Sequence, residues 1–253
     1  MKNTTIGIII AVVVIIGGIY LFTRTSNTPS VSSIPSQNQN NNAQGRVVLS
    51  ITDAAINMST ISQINMTISS IDIHSQTNGW ITTSGTPQTY NLLDLNAKNE
   101  SKIFTDFQAP VGTYDMVRLS VDKVVVVPKT GAIQEAKLPS GELKINTTLV
   151  VKDGTTSSIS FDFMADKSLH MTGNGNYIFA PVVKTETRSE ANVTVNSDNT
   201  IKINGGHIDT DTTDGMDIDG SVKNNFQIKA DEKLDVVNGV IKIHSTLNTN
   251  KQN

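Results

Sequence analysis

The chain has no cysteine. That excludes disulfides, thiolate zinc sites, cysteine catalysis and a thioether-linked lipid anchor. It does not exclude an external location, because a chain of 253 residues can be stable on its own core. Aromatic residues are scarce, and Trp80 is the only tryptophan. No cluster of Lys or Arg occurs, and the formal net charge is −3. Nucleic-acid binding needs a basic footprint, so it is not expected. His74, His170, His207 and His244 are far apart and form no HxH or HxxxH pair. No G-x-S-x-G is present, and no serine has a recognisable base beside it. Gly173-Asn174-Gly175 precedes a strand pattern rather than a helix, so it reads as a turn and not as a phosphate cradle.

What is present begins with one long apolar run. Ile6 to Phe22 carries no charge over 17 residues, which at about 1.5 Å per residue just crosses a bilayer core. Tyr20-Leu21-Phe22-Thr23, at its end, makes a poor signal-cleavage site. Residues 1–23 are therefore expected to be an uncleaved single-pass anchor, with membrane contact through that helix. A cleaved signal peptide competes with it. So does a pilin-type leader cut after Gly7, which would make the protein a subunit of a pilus-like filament. The short N-terminal tail with Lys2 favours export of everything after the span. Residues 24–45 are rich in Ser, Asn and Gln with two prolines, and read as a disordered tether.

From Arg46 the pattern changes to short alternating runs. They include Val47-Leu49-Ile51, Met66 to Ile73, Tyr90 to Leu93, Met116 to Val127, Leu143 to Ile145, Thr148 to Val151, Ile159 to Phe163 and Tyr177 to Val183. Turn signals such as Asn78-Gly79, Pro110-Val111-Gly112 and Asp153-Gly154 separate them. About eight to ten strands in residues 46–188 predict an all-β sandwich, with one helical turn at Ala165–Ser168. Residues 189–253 carry two hairpin patterns, Val193–Val195 with Ile201–Ile203 and Leu234–Val237 with Val240–Ile243, the second around Asn238-Gly239. They read as a small β-rich extension with a frayed end, packed on the sandwich or standing as a companion module.

The order of segments through residues 45–185 resembles the prokaryotic family called domain of unknown function 4382. The matching stretches include GRVVLSITDAA (Gly45–Ala55), NLLDL (Asn91–Leu95), PVGTYDMVRLSV (Pro110–Val121), KLPSGELKI (Lys137–Ile145), FDFMADKSL (Phe161–Leu169) and GNYIFAPVVK (Gly175–Lys184). The resemblance implies a prealbumin-like or immunoglobulin-like β-sandwich on exported, often anchored proteins. It brings no agreed catalytic residues.

One constellation could carry chemistry. Asp209, Asp211, Asp214, Asp217 and Asp219 fall within eleven residues, with no Lys or Arg between Lys202 and Lys223. Repelling carboxylates invite a hard cation, so a loosened calcium loop is one expectation. The spacing departs from an EF-hand and no Glu closes it. The competing reading is a solvated acidic loop that uses Asp and Gly for turns. Asp53, Asp94, Asp162 and Asp166 read as turn or strand-end carboxylates, and the first three are the candidates if the protein is an exported hydrolase. Trp80, at a strand start, reads as a core aromatic, with an exposed binding aromatic as the alternative. Together these features predict a membrane-anchored, extracytoplasmic structural or binding module without catalysis, whose partner is a cell-surface protein or glycan.

Overall fold

A computed structural model describes residues 43–54 and 58–225 in full, and the backbone of 234–237 and 240–243. The apolar run Ile6–Phe22, nearly all of the tether, the Asn238-Gly239 turn and His244 lie outside the described residues. Among the described residues no helix is long and apolar enough to cross a membrane.

The fold is all-β. Its strands are β1 (Gln44–Asp53), β2 (Ile61–Ser75), β3 (Gly79–Ser84), β4 (Gln88–Asn91), β5 (Lys102–Pro110), β6 (Gly112–Pro128), β7 (Gln134–Ala136), β8 (Glu142–Val151) and β9 (Thr156–Phe163). They continue with β10 (Leu169–Met171), β11 (Tyr177–Phe179), β12 (Val182–Ser189), β13 (Asn192–Val195), β14 (Ile201–Asn204), β15 (His207–Met216), β16 (Val222–Lys223), β17 (Leu234–Val237) and β18 (Val240–Ile243). One six-stranded sheet has the order β16-β15-β12-β9-β1-β5. The other has the path β3-β2-β6-β7, with β4 added on β2 and β8 added on β6. Neighbours are antiparallel except β1 and β9, which run parallel from Arg46 beside Thr156 to Asp53 beside Phe163.

The inner faces of both sheets feed one apolar core. Leu49, Ile51, Phe161 and Phe163 from the first sheet join Ile64, Ile71, Val117, Leu119 and Ile145 from the second in a single buried cluster. That shared core makes the pair of sheets a sandwich. The period of two places it: in β8 Leu143, Ile145, Leu149 and Val151 point inward, while Glu142, Lys144 and Asn146 are exposed. Each large apolar side chain so buried contributes about 1.5–3 kcal/mol over its exposed state.

Three expectations are corrected. Tyr90–Leu93 is not one strand: β4 ends at Asn91, and Leu92–Lys98 is an α-helix. Leu92 and Leu95, three apart, share its buried face, and Asp94 pairs with Lys98 at 2.8 Å. Asn99 closes the helix in the left-handed conformation at φ 50°. The segment Lys102–Pro110 escaped the alternation test yet forms β5. Its pairing with β1 shifts register between Leu49 and Ser50, and only Phe104 and Ala109 are buried, five residues apart. The acidic stretch from His207 to Met216 is no loop. It is β15, paired along its length with β12. Both hairpin patterns of the C-terminal region are antiparallel pairs, β13 with β14 and β17 with β18.

Candidate polar cleft at the sandwich seam

β8 pairs with β6 on one side only, so its far side is an exposed sheet edge. Such an edge carries unpaired N–H and C=O groups and invites unwanted strand pairing. Here side chains from the first sheet cover it. The Thr148 N–H donates to Thr210 Oγ1 at 2.7 Å, and the Val150 N–H donates to Asp209 Oδ2 at 3.3 Å. The hydroxyls of Thr187 and Thr210 both donate to the Thr148 carbonyl. Asp209 is further held by the Ser189 hydroxyl at 3.1 Å. At this end the two sheets are zipped.

Toward Asn146 the seam opens into a polar cleft of about 460 Å³. Asn146 and Thr147 of β8 line it together with Thr212 and Asp214 of β15, and Asn224 and Asn225 join the lining. Thr147 occupies an inward position of β8, in register with Ile145 and Leu149, and is 8% exposed. Its Oγ1 has no hydrogen-bond partner among the described residues. Asp214 is fully buried. Its Oδ1 accepts the Asn225 N–H at 3.1 Å, while Oδ2 finds no partner among the described residues. Burial pushes the Asp214 carboxyl above its ordinary range, and the Asn225 N–H and Thr212 hydroxyl only partly offset that. Thr185, opposite Thr212 in the β12–β15 register, is a third buried hydroxyl without a partner among the described residues. Native folds leave few polar atoms so, and each costs about 1–3 kcal/mol. Three within one seam mark a place where interior packing gives way to something else.

The five carboxylates of the acidic segment are not brought together. Asp209, Asp211 and Asp214 line the cleft. Strand alternation nevertheless sends Asp211 toward Lys184, whose ammonium lies 3.1 Å away. Asp217 and Asp219 sit in the turn that follows. Asp217 is held by Lys223 at 3.0 Å, and Asp219 accepts the Ser221 N–H and hydroxyl at 2.9 and 2.7 Å. Among the described residues no three His, Asp or Glu side chains converge as a metal site. Strand β15 and the turn after it give Asp209, Asp211, Asp217 and Asp219 separate protein partners.

Other sequence candidates have local duties. Asp53 Oδ1 accepts the Ala165 N–H at 3.1 Å, and Asp162 Oδ1 accepts the Ala54 N–H at 2.7 Å. Burial raises the Asp162 carboxyl above its ordinary range. Asp94 lies apart from both on the exposed side of its helix, paired with Lys98, and Asp166 lies 3.4 Å from Lys167. Trp80 is 40% exposed, which overturns the core reading. It faces outward from β3, opposite His74, with the Arg118 guanidinium 4.7 Å from its ring centre. Arg118 is in turn fixed by Asp72 at 2.7 Å. His74 bonds Asp115 at 2.6 Å, which holds that carboxyl below its ordinary range. Burial lowers the His170 imidazole below its ordinary value.

Reading residues alone missed Asn146, Thr147, Thr212, Asn224 and Asn225. One signal was available: Thr147 is the only polar residue at the inward positions of β8.

No curated protein and no solved structure matches the chain. Residues 44–181 match the family described as Domain of unknown function (DUF4382), a stretch that holds β1 to β11 and the β8 wall of the cleft but ends before β15. The match covers more than half of the sequence and runs through both sheets of the sandwich, and the chain therefore belongs to that family.

Proposed function

We propose that this protein is a membrane-anchored, extracytoplasmic β-sandwich of prealbumin-like or immunoglobulin-like type. Its role is to bind a partner at the cell surface, a protein or a glycan, rather than to turn over a substrate. The observation that carries the binding role is the seam cleft. It is a concave site of ordinary ligand-pocket size, lined by Asn, Thr and Asp, with buried polar atoms that have no partner among the described residues. The apolar run Ile6–Phe22 and the polar tether after it support the anchored topology.

The test is protease shaving of intact cells with an antibody to the sandwich. The expected outcome is digestion of the domain without lysis, and a shielded remnant containing residues 6–22. A domain that resists until the cells are broken open would place it in the cytoplasm and end this reading.

A further inference from the structure

We infer that the seam cleft takes a primary ammonium group, on a small amine or at the tip of a lysine side chain, with Asp214 as its counter-ion. The inference rests on the reading of this cleft as a binding site, and it names the ligand class.

The argument starts from charge. A fully buried carboxylate without a cation beside it is costly, and Asp214 is fully buried. The cations nearest in the acidic segment are already committed: Lys184 to Asp211, and Lys223 to Asp217. Of the three carboxylates in the lining, Asp209 is spent on the Val150 N–H and the Ser189 hydroxyl, and Asp211 on Lys184. One anionic group is left. Calcium takes six to eight oxygens and is held by several carboxylates, so one carboxylate with a single oxygen lacking a partner among the described residues matches a single positive charge better. A neutral sugar hydroxyl would leave the charge uncompensated, and among the described residues the lining holds no aromatic face for a sugar ring.

Donor count completes the match. An ammonium has three donors and no acceptor. Asp214 and Thr147 line the cleft, both are more than nine-tenths buried, and Asp214 Oδ2 and Thr147 Oγ1, closed off from solvent in this state, have no partners among the described residues, so an ammonium would reach them by a small shift of the lining. Asn146, Asn224 and Asn225, which also line the cleft, carry amide oxygens of the type that accepts the third donor. Burial already pushes the Asp214 carboxyl upward, and a cation held against it would bring it down again. The volume leaves room for the alkyl stem behind the charged head.

The experiment is thermal unfolding of the full chain in detergent, titrated with propylammonium chloride, with tetramethylammonium chloride at equal ionic strength, and with calcium chloride. A ligand that binds only the folded state raises the midpoint in proportion to the logarithm of its excess over Kd. Propylammonium is expected to raise the midpoint and tetramethylammonium, which has no N–H, is not. Asp214→Asn should weaken the propylammonium response at least about tenfold, the loss expected for a charge-assisted hydrogen bond. Thr147→Val should weaken it less, and it serves alone should the Asp214 variant fail to fold. A blocked Gly-Lys-Gly peptide then separates the sources: tighter binding than propylammonium assigns a protein-borne lysine, and weaker binding a small amine. Equal responses to both ammonium salts, a response unchanged in both variants, a response to calcium alone, or no response would each overturn the inference. None of these outcomes bears on protease shaving, so the surface location stands or falls separately.

Discussion

The two ends of the β8–β15 seam are written in the same few residue types and finish in opposite states. At one end Thr210, Thr187 and Asp209 meet the bare edge of β8, and each of them finds a backbone partner there. At the other end Thr147 of β8 and Thr212 and Asp214 of β15 line the same gap, and two of the three keep an atom without a partner among the described residues. The residue types do not decide the outcome. What decides it is whether a side chain falls opposite a strand edge, which offers donors and acceptors at fixed spacing, or opposite other side chains, which do not.

That contrast can be broken in order of effect. The largest change should come from the apolar core beside the seam. Phe161 is fully buried, and Phe161→Ala should cost about 3–5 kcal/mol in urea unfolding followed by circular dichroism. A loss under 1 kcal/mol would mean that the polar seam, and not the apolar layer, carries the sandwich. Next is the zipped end. Asp209→Ala should cost about 1–3 kcal/mol, since it strands the Val150 N–H at a half-covered edge. Hydrogen exchange at Val150 should accelerate in that variant, and an unchanged rate would show that the edge is held by something else.

The smallest effect belongs to the open end, and it has the opposite sign. Asp214 in the folded chain lies above its ordinary value of 3.8, so the folded state holds that proton more tightly than the unfolded one. Stability from this group is complete below that ordinary value and is lost as pH rises through the folded-state value. Asp214→Asn, neutral throughout, should therefore become progressively more stable than the parent as pH rises above 3.8. Parallel melting curves across that range would show that the carboxyl is already compensated.

Much of the sandwich was legible because the apolar runs Val47–Ile51, Met66–Ile73 and Ile159–Phe163 are local signals, and their apolar residues are all buried, with burial alternating strictly in the last of them. The helix Leu92–Lys98 was hidden because two leucines next to a strand end read equally well as its continuation. β15 was hidden because its inward positions hold Thr210, Thr212 and Asp214 where a strand test looks for apolar residues. Trp80 was misplaced because sequence gives the period of a strand but not which face a neighbouring sheet covers. The cleft was out of reach for a different reason. Its walls come from positions about sixty residues apart, joined only when β8 and β15 meet. The five aspartates caught the eye by their crowding, yet only Asp214 among them keeps a buried atom without a partner among the described residues.

The parallel pairing of β1 with β9 sets a timetable for the newborn chain. Ser50 must wait for Ser160, 110 residues later, before its strand is flanked on both sides. At about 5–20 residues per second that delay is roughly 6–22 s, during which β5 can occupy one flank and the other lies bare. The apolar stretch Val47-Val48-Leu49 is thus the part of the domain most open to pairing with a stranger while synthesis continues. Whatever guards this protein on its way to its destination has that strand to guard first.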